Sequence, residues 1–240
     1  IAGTVRPVRG VVFVFPDTVP RWEVAAIRLF ELVPAFRDRM IDCATALSTH
    51  VDWNPLGALL GRAGAPPVDR ADVARPLLFA VLVSLAELWM SHGVGPQAVV
   101  GRGEVADLAA ACVAGALSLS DAARLAAGRP GPAGEPAEGI TIGPAEIPWY
   151  TSDNLADPGA FGWLSGEPGH AGDFEEIIRH LVDDDHDVFI EIGPRFGWSS
   201  TPEGVLASAT DAGHNDATGT GGLDDHARFL SAIAEVHARG

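Results

Sequence analysis

The sequence contains no lysine, and only two of its 240 residues are cysteines. Cys43 and Cys112 belong to no C-x-x-C or Cys/His spacing, so we expect two reduced thiols and no zinc site. The 16 arginines face 32 acidic residues, and the formal net charge is −16. Because there is no surplus of positive charge to neutralise phosphates, the composition argues against nucleic acid and anionic membranes as partners.

Long apolar runs are also missing. No uninterrupted stretch of 18 apolar residues occurs, and the apolar run from Val11 to Phe15 is far too short for a signal peptide. We therefore expect a soluble, cytoplasmic protein. No motif for a cofactor is present, and neither a metal site nor a Ser/His/Asp set can be recognised from the spacing.

Short apolar strands alternate with helical segments along the chain. Strands are predicted at Val11 to Phe15, at Val99 and Val100, and at Asp187 to Ile192, each rich in β-branched or aromatic residues. Helices are predicted at Trp22 to Met40, Asp72 to Met90, Asp107 to Ala116, Asp121 to Gly128, Phe174 to Leu181, and at the end of the sequence through Ala238. The first is expected to break near Pro34, and the second to be fully buried. Ser118 or Ser120 is expected to cap the helix that begins at Asp121. This alternation predicts a mostly parallel sheet flanked by helices.

A stretch rich in proline and glycine, "RPGPAGEPAEG", runs from Arg129 to Gly139 and predicts an extended linker that cannot pack a core. A second loop, "DAGHNDATGTGG", is predicted from Asp211 to Gly222.

Six segments in one order carry a family resemblance: "GTVRPVRGVVFVFP", "ADVARPLLFAVLVSLAELWMSHGVGPQAVVG", "AAACVAGALSLSDAAR", "IPWY", "FEEIIRHLVDDDHDVFIEIGP" and "FLSAIAEVHARG". With these segments in this order, the chain resembles the acyltransferase domains of modular type I polyketide synthases, which load malonyl-type units onto acyl carrier proteins. The resemblance implies an acyltransferase-type α/β-hydrolase-like core. It also implies neighbouring ketosynthase and acyl carrier protein domains as partners, with a trans-acting acyltransferase as a further candidate.

The residues at the family's nucleophile differ from the family pattern. Where the family has G-H-S-x-G, this chain reads Gly101-Arg102-Gly103-Glu104-Val105. Aligned from the preceding strand Gly103 replaces the serine, and aligned from the following helix Glu104 does, so neither alignment supplies a serine. The family glutamine of the oxyanion hole is replaced by Thr18, beside Asp17 and Pro20.

The family's small ferredoxin-like subdomain and the histidine that follows it have no counterpart. Only residues 129–146 separate the flanking landmarks, which is too short for a four-stranded lobe. We therefore predict a tail at residues 1–10 and a single truncated domain at residues 11–240, with residues 129–146 replacing the lobe. Arg129 matches the family arginine that pairs with the malonyl carboxylate, but Pro130 follows it, which favours a surface residue that begins the linker.

Together these losses predict a non-catalytic domain that serves as a spacer or docking platform, without cofactor or metal. The rival interpretations are an enzyme that uses Glu104, Asp107 or Asp17 around Arg129, and a small-molecule binding module. His92 is expected to be a packing or turn histidine, and His186 a solvated turn residue. We also predict that Trp163 or Trp198 packs near the turn at residues 101–105, because loss of the lobe would expose apolar surface.

Overall fold

The computed structural model of the protein describes residues 10–16, 19, 21–128, 139–151, 173–193, 198–199 and 223–239. The strands are β1 (Val11–Phe15), β2 (Ala98–Gly101), β3 (Trp149–Thr151), β4 (Val188–Glu191) and β5 (Trp198–Ser199). The helices are α1 (Trp22–Leu32), α2 (Pro34–Leu47), α3 (Pro55–Leu59), α4 (Ala71–Ser91), α5 (Glu104–Val113), α6 (Leu119–Ala127), α7 (Asp173–Asp183) and α8 (Leu223–Arg239).

The five strands form one sheet in the order β3-β2-β1-β4-β5. β1 pairs in parallel with both β2 and β4, and β2 pairs in parallel with β3. Only β5 is antiparallel, at the edge beside β4. The predicted fold class, an α/β core with a mostly parallel sheet flanked by helices, is therefore confirmed.

The side chains of β1 alternate between two hydrophobic cores, as the two-residue period of a strand requires. Phe13 and Phe15 join the larger core, which includes buried side chains of α1 to α6 and α8. Val12 and Val14 join a smaller core on the other face, closed by Ile177, Ile178 and Leu181 of α7. Because both faces are covered, β1 is buried along its whole length, which explains its continuous apolar sequence.

Helix α4 is the central helix of the larger core. By length and composition it could cross a membrane, but 72% of its most apolar window is buried inside the domain. It packs against α2, α5 and α6, which is the environment of a core helix. The predicted burial is confirmed for the middle of the helix, while its two ends are partly exposed.

Several predicted boundaries are confirmed and others shift. The break near Pro34 is confirmed, because α1 ends at Leu32 and Pro34 is the first residue of α2. Ser118 is the cap of α6, and its hydroxyl oxygen accepts a 3.0 Å hydrogen bond from the Asp121 N–H. Helix α5 was predicted to begin at Asp107, but it begins at Glu104. The short α3 and strand β5 were not predicted.

The predicted linker is described only from Gly139 onward. Within that part the backbone is anchored: the Gly143 N–H donates to the Ala116 carbonyl at 2.8 Å, and the Glu146 N–H donates to the Ala114 carbonyl at 2.8 Å. This segment therefore packs against the connection between α5 and α6 before the chain enters β3. Residues 129–138 lie outside the described residues, and the predicted single domain at 11–240 stays a prediction.

Candidate functional site

The turn between β2 and α5 keeps the strand–turn–helix shape that presents a nucleophile in α/β hydrolase-like enzymes. The Arg102 N–H donates to the Phe15 carbonyl at 3.0 Å, which holds the turn against the end of β1. Gly103 has φ 91° and ψ 164°, a conformation that side chains rarely adopt, and α5 begins at the next residue. Gly103 therefore stands at the tip of the turn, where it offers no side chain.

Asp107 closes the turn from the helix side. Its N–H donates to the Gly103 carbonyl at 2.8 Å, the first hydrogen bond of α5. A methyl group at Gly101 would lie 2.7 Å from the Asp107 Cα and 2.8 Å from its N, so α5 approaches the end of β2 as closely as glycine allows. Asp107 is only 1% exposed, which makes it a packing carboxylate over the strand end.

Glu104, the first residue of α5, forms an ion pair with Arg75 of α4. From the sequence alone, a glutamate near a helix start is predicted to be a solvated carboxylate favoured by the helix dipole. In the structure Glu104 is instead paired, and its side chain is only 34% exposed. The other terminal nitrogen of Arg75 donates to the carbonyl of Gly128 at the end of α6. Burial lowers the pKa of the Arg75 guanidinium below its ordinary value, and the Glu104 carboxylate opposes that shift.

Two further described residues border the turn. The guanidinium of Arg102 lies 4.6 Å from the ring centroid of Phe174 in α7, a cation–π contact. Thr151 at the end of β3 is aligned with Gly101 across the sheet and is 2% exposed. We did not identify Arg75, Phe174 or Thr151 as site residues from the sequence. Arg75 could have been found, because it is a charged residue inside the otherwise apolar run "VARPLLFA".

Three of the described histidines lie away from the turn. His92 follows α4 ahead of β2; its Nδ1 donates to the Leu88 carbonyl at 2.9 Å and its ring packs edge-on against Phe229. His186 precedes β4 and donates from Nδ1 to the Leu181 carbonyl at 3.0 Å. His237 donates to the His92 carbonyl at 3.1 Å. All three are at the end of the sheet where the parallel strands begin. His92 lies in the turn after α4 with its ring against Phe229, in agreement with the predicted turn or packing histidine.

Other predicted positions cannot be placed. Asp17, Thr18, Arg129 and Trp163 lie outside the described residues, and only the backbone of Trp198 is described. The prediction that Trp163 or Trp198 packs near the turn therefore stays a prediction. Within the described ranges, no three His, Cys, Asp or Glu residues are grouped so that they could hold a metal ion.

Comparisons with known proteins agree with this architecture. A profile described as "Acyl transferase domain" matches residues 12–135. The chain is 48% identical over 127 residues to polyketide synthase GfsB of Streptomyces halstedii, which covers 53% of this chain and 2% of that protein. It is 47% identical over 141 residues to mycoketide-CoA synthase of Mycobacterium tuberculosis, and the match covers 56% of this chain and 3% of that protein. The chain thus spans a small fraction of these relatives' length.

Solved structures extend the similarity beyond residue 135. The acyltransferase domain from module 8 of the salinomycin polyketide synthase superposes with a TM-score of 0.70 at 26% identity, covering 99% of this chain and 77% of that chain. A loading acyltransferase from the avermectin modular polyketide synthase superposes with a TM-score of 0.72 at 24% identity, covering 95% of this chain and 100% of that chain. The chain belongs to the acyl transferase domain family of the modular polyketide synthases.

Proposed function

We propose that this is a truncated, non-catalytic acyltransferase-like domain that contributes architecture to a polyketide synthase. In this role it is a rigid spacer, or a docking platform for a ketosynthase, an acyl carrier protein or a trans-acting acyltransferase. The observation that carries the proposal is the turn between β2 and α5. Gly103 stands at its tip without a side chain, and the adjacent Glu104 is engaged by Arg75.

The surroundings of the turn support the same proposal. Acyl transfer through a covalent intermediate needs a nucleophile, a base within hydrogen-bond reach and donors for the oxyanion. Of the described histidines, His92, His186 and His237 lie at the opposite edge of the sheet and are held by backbone carbonyls. His180 of α7 has its Nε2 3.5 Å from the Asp184 carboxylate and its ring edge-on to Tyr150. β2 has four residues, so the two edges are about 13 Å apart.

The buried framework supports an architectural role. Helix α5 packs against α4, β2 and α6, and its residues Ala106 and Leu108 to Ala111 have no exposed surface. Close-packed cores transmit position accurately because they deform little. A domain that retains this core while its reactive turn lacks a nucleophile can still set the spacing and orientation of its neighbours.

In the alternative interpretation the domain is an enzyme that uses Glu104 as its nucleophile. A carboxylate can attack a thioester to form an anhydride, but here the Glu104 carboxylate is already paired with the guanidinium of Arg75. Such pairing stabilises the carboxylate in its resting state and lowers its reactivity. Asp107, the second candidate on this turn, is buried against Gly101.

Acylation measured by intact mass tests the proposal. The chain is incubated with isotope-labelled malonyl-CoA and methylmalonyl-CoA, beside an active acyltransferase domain as positive control and Glu104→Gln as the matched variant. We expect no adduct on the chain. A labelled adduct would overturn the non-catalytic proposal, and its loss in Glu104→Gln would assign the chemistry to that carboxylate. Equilibrium dialysis of the same acyl-CoAs tests the small-molecule binding alternative.

A further inference from the structure

Arg75 is a cation that joins the start of α5 to the end of α6. Its side chain is 19% exposed, and its two terminal nitrogens reach the Glu104 carboxylate and the Gly128 carbonyl. Its Nε is buried and has no hydrogen-bond partner. A guanidinium stays protonated under all ordinary conditions, so a half-buried one requires an anion beside it.

Glu104 is well suited to be that anion. As the first residue of α5 it lies at the positive end of the helix dipole, which favours a negative charge. The carboxylate also opposes the pKa depression that burial imposes on Arg75. Glu104 therefore occupies a position that is stabilised from two directions, by the guanidinium and by the helix end.

We propose that Arg75 forms a carboxylate-binding site that Glu104 of the same chain occupies, so that the turn carries its own ligand and is closed to carboxylates from outside. Two other charged residues of the described turn have contacts of their own: Arg102 lies over Phe174, and Asp107 is packed against Gly101. A carboxylate that approaches the start of α5 meets Glu104 in place of a free guanidinium. The inference concerns binding at Arg75 and holds whether or not the turn transfers acyl groups.

Removal of the internal carboxylate should turn the contact into an open site. In Glu104→Ala the guanidinium of Arg75 keeps its bond to the Gly128 carbonyl but loses its anion, and truncation of the side chain leaves space for a small carboxylate. The bound anion would regain both the charged partner and the helix end. Since a ligand that binds only the folded state stabilises it, occupancy is read directly from the melting temperature.

The experiment uses the full chain and sodium acetate as probe, against sodium chloride at equal ionic strength. We expect acetate to raise the melting temperature of Glu104→Ala saturably by about 3 °C over chloride. The wild-type chain and the double variant Glu104→Ala with Arg75→Met should show no acetate-specific rise. Glu175→Ala, which removes the carboxylate from the exposed Arg179 pair, is the matched control and should not respond either.

Two results would overturn the proposal: no acetate-specific rise in Glu104→Ala, or an equal rise in the double variant. If Glu104→Ala does not fold, Glu104→Ser carries the same test, because a hydroxyl suits the start of a helix. Failure here is distinct from failure of the proposed function, which is read as a covalent mass adduct and not as a thermal shift.

Discussion

The two edges of the parallel sheet differ in what they offer to chemistry. At the edge where the strands end, the backbone retains the sharp turn into α5, but Gly103 has no side chain and Glu104 is paired with Arg75. At the edge where the strands begin, His92 and His186 are present but each is bonded to a backbone carbonyl. Among the described residues, the turn and the histidines His92 and His186 are thus separated by the length of the strands.

The difference fits the proposal that this domain retains the packing of the fold without acyl transfer. The core around α4 and α5 requires apolar volume and close approach, which the sequence keeps. A transferase additionally requires several reactive groups at one place, and loss of any of them leaves the core intact.

Gly101, the last residue of β2, and Gly95, in the loop before that strand, give the sharpest contrast in stability. Gly101→Ala places a methyl group 2.7 Å from the Asp107 Cα and 2.8 Å from its N, so α5 must move. We expect a loss of about 3 kcal/mol in the free energy of unfolding, measured by denaturant titration. Gly95→Ala, where nothing lies within 4 Å, is the control and should change stability by less than about 0.5 kcal/mol. Equal effects would contradict the close approach.

Cys112, near the far end of α5, gives a pH test together with Cys43 in α2. Both thiols are free. Burial raises the pKa of Cys43 to about 12 and that of Cys112 to about 11, from 9.0. Above pH 9 the unfolded chain loses thiol protons that the folded chain retains. Stability present below pH 9 should therefore fall as pH rises toward 11 to 12, by at most about 1.4 kcal/mol per pH unit for each thiol.

Few other side chains of this protein titrate in the same pH range as the two thiols. It has no lysine and a single tyrosine, and burial also raises the pKa of that residue, Tyr150. Urea titrations from pH 8 to 11 should show a smaller slope of stability against pH in Cys43→Ala and Cys112→Ala than in the wild type. An unchanged slope in both variants would show that the thiols are already exposed in the folded state.

The Arg75–Glu104 pair should contribute less than the glycine contact. Removing one partner leaves a half-buried charge, but the side chains are 19% and 34% exposed, so solvent screens part of the interaction. A double-mutant cycle with Arg75→Met and Glu104→Gln should give a coupling energy of about 1 kcal/mol. The Arg179–Glu175 pair, with both side chains about half exposed or more, should give less than about 0.5 kcal/mol. The reverse order would exclude a structural role at the turn.

The sequence predicted the core better than the site, for a physical reason. Apolar runs such as Val11–Phe15 report burial directly, and Pro34 and Ser118 mark helix boundaries through local chemistry. The contacts of Arg75 depend on residues distant in the chain, Glu104 and Gly128. Local patterns contain no information about such pairs, so Glu104 was interpreted as solvated. The helix start at Glu104 was missed because Gly103, not a capping side chain, ends the turn.

Acylation of variants with a restored serine tests most directly the proposal that the turn is non-catalytic and that no single substitution restores it. The series is the wild type, Gly103→Ser, Glu104→Ser, and Thr18→Gln combined with Glu104→Ser, each incubated with labelled malonyl-CoA and measured by intact mass. Groups that act as a unit do not restore activity singly, and a serine at Gly103 must also adopt φ near 91°. The account predicts no covalent adduct on any of the four proteins. Malonyl transfer to any one of them would contradict it, since the site would then be preorganised for catalysis.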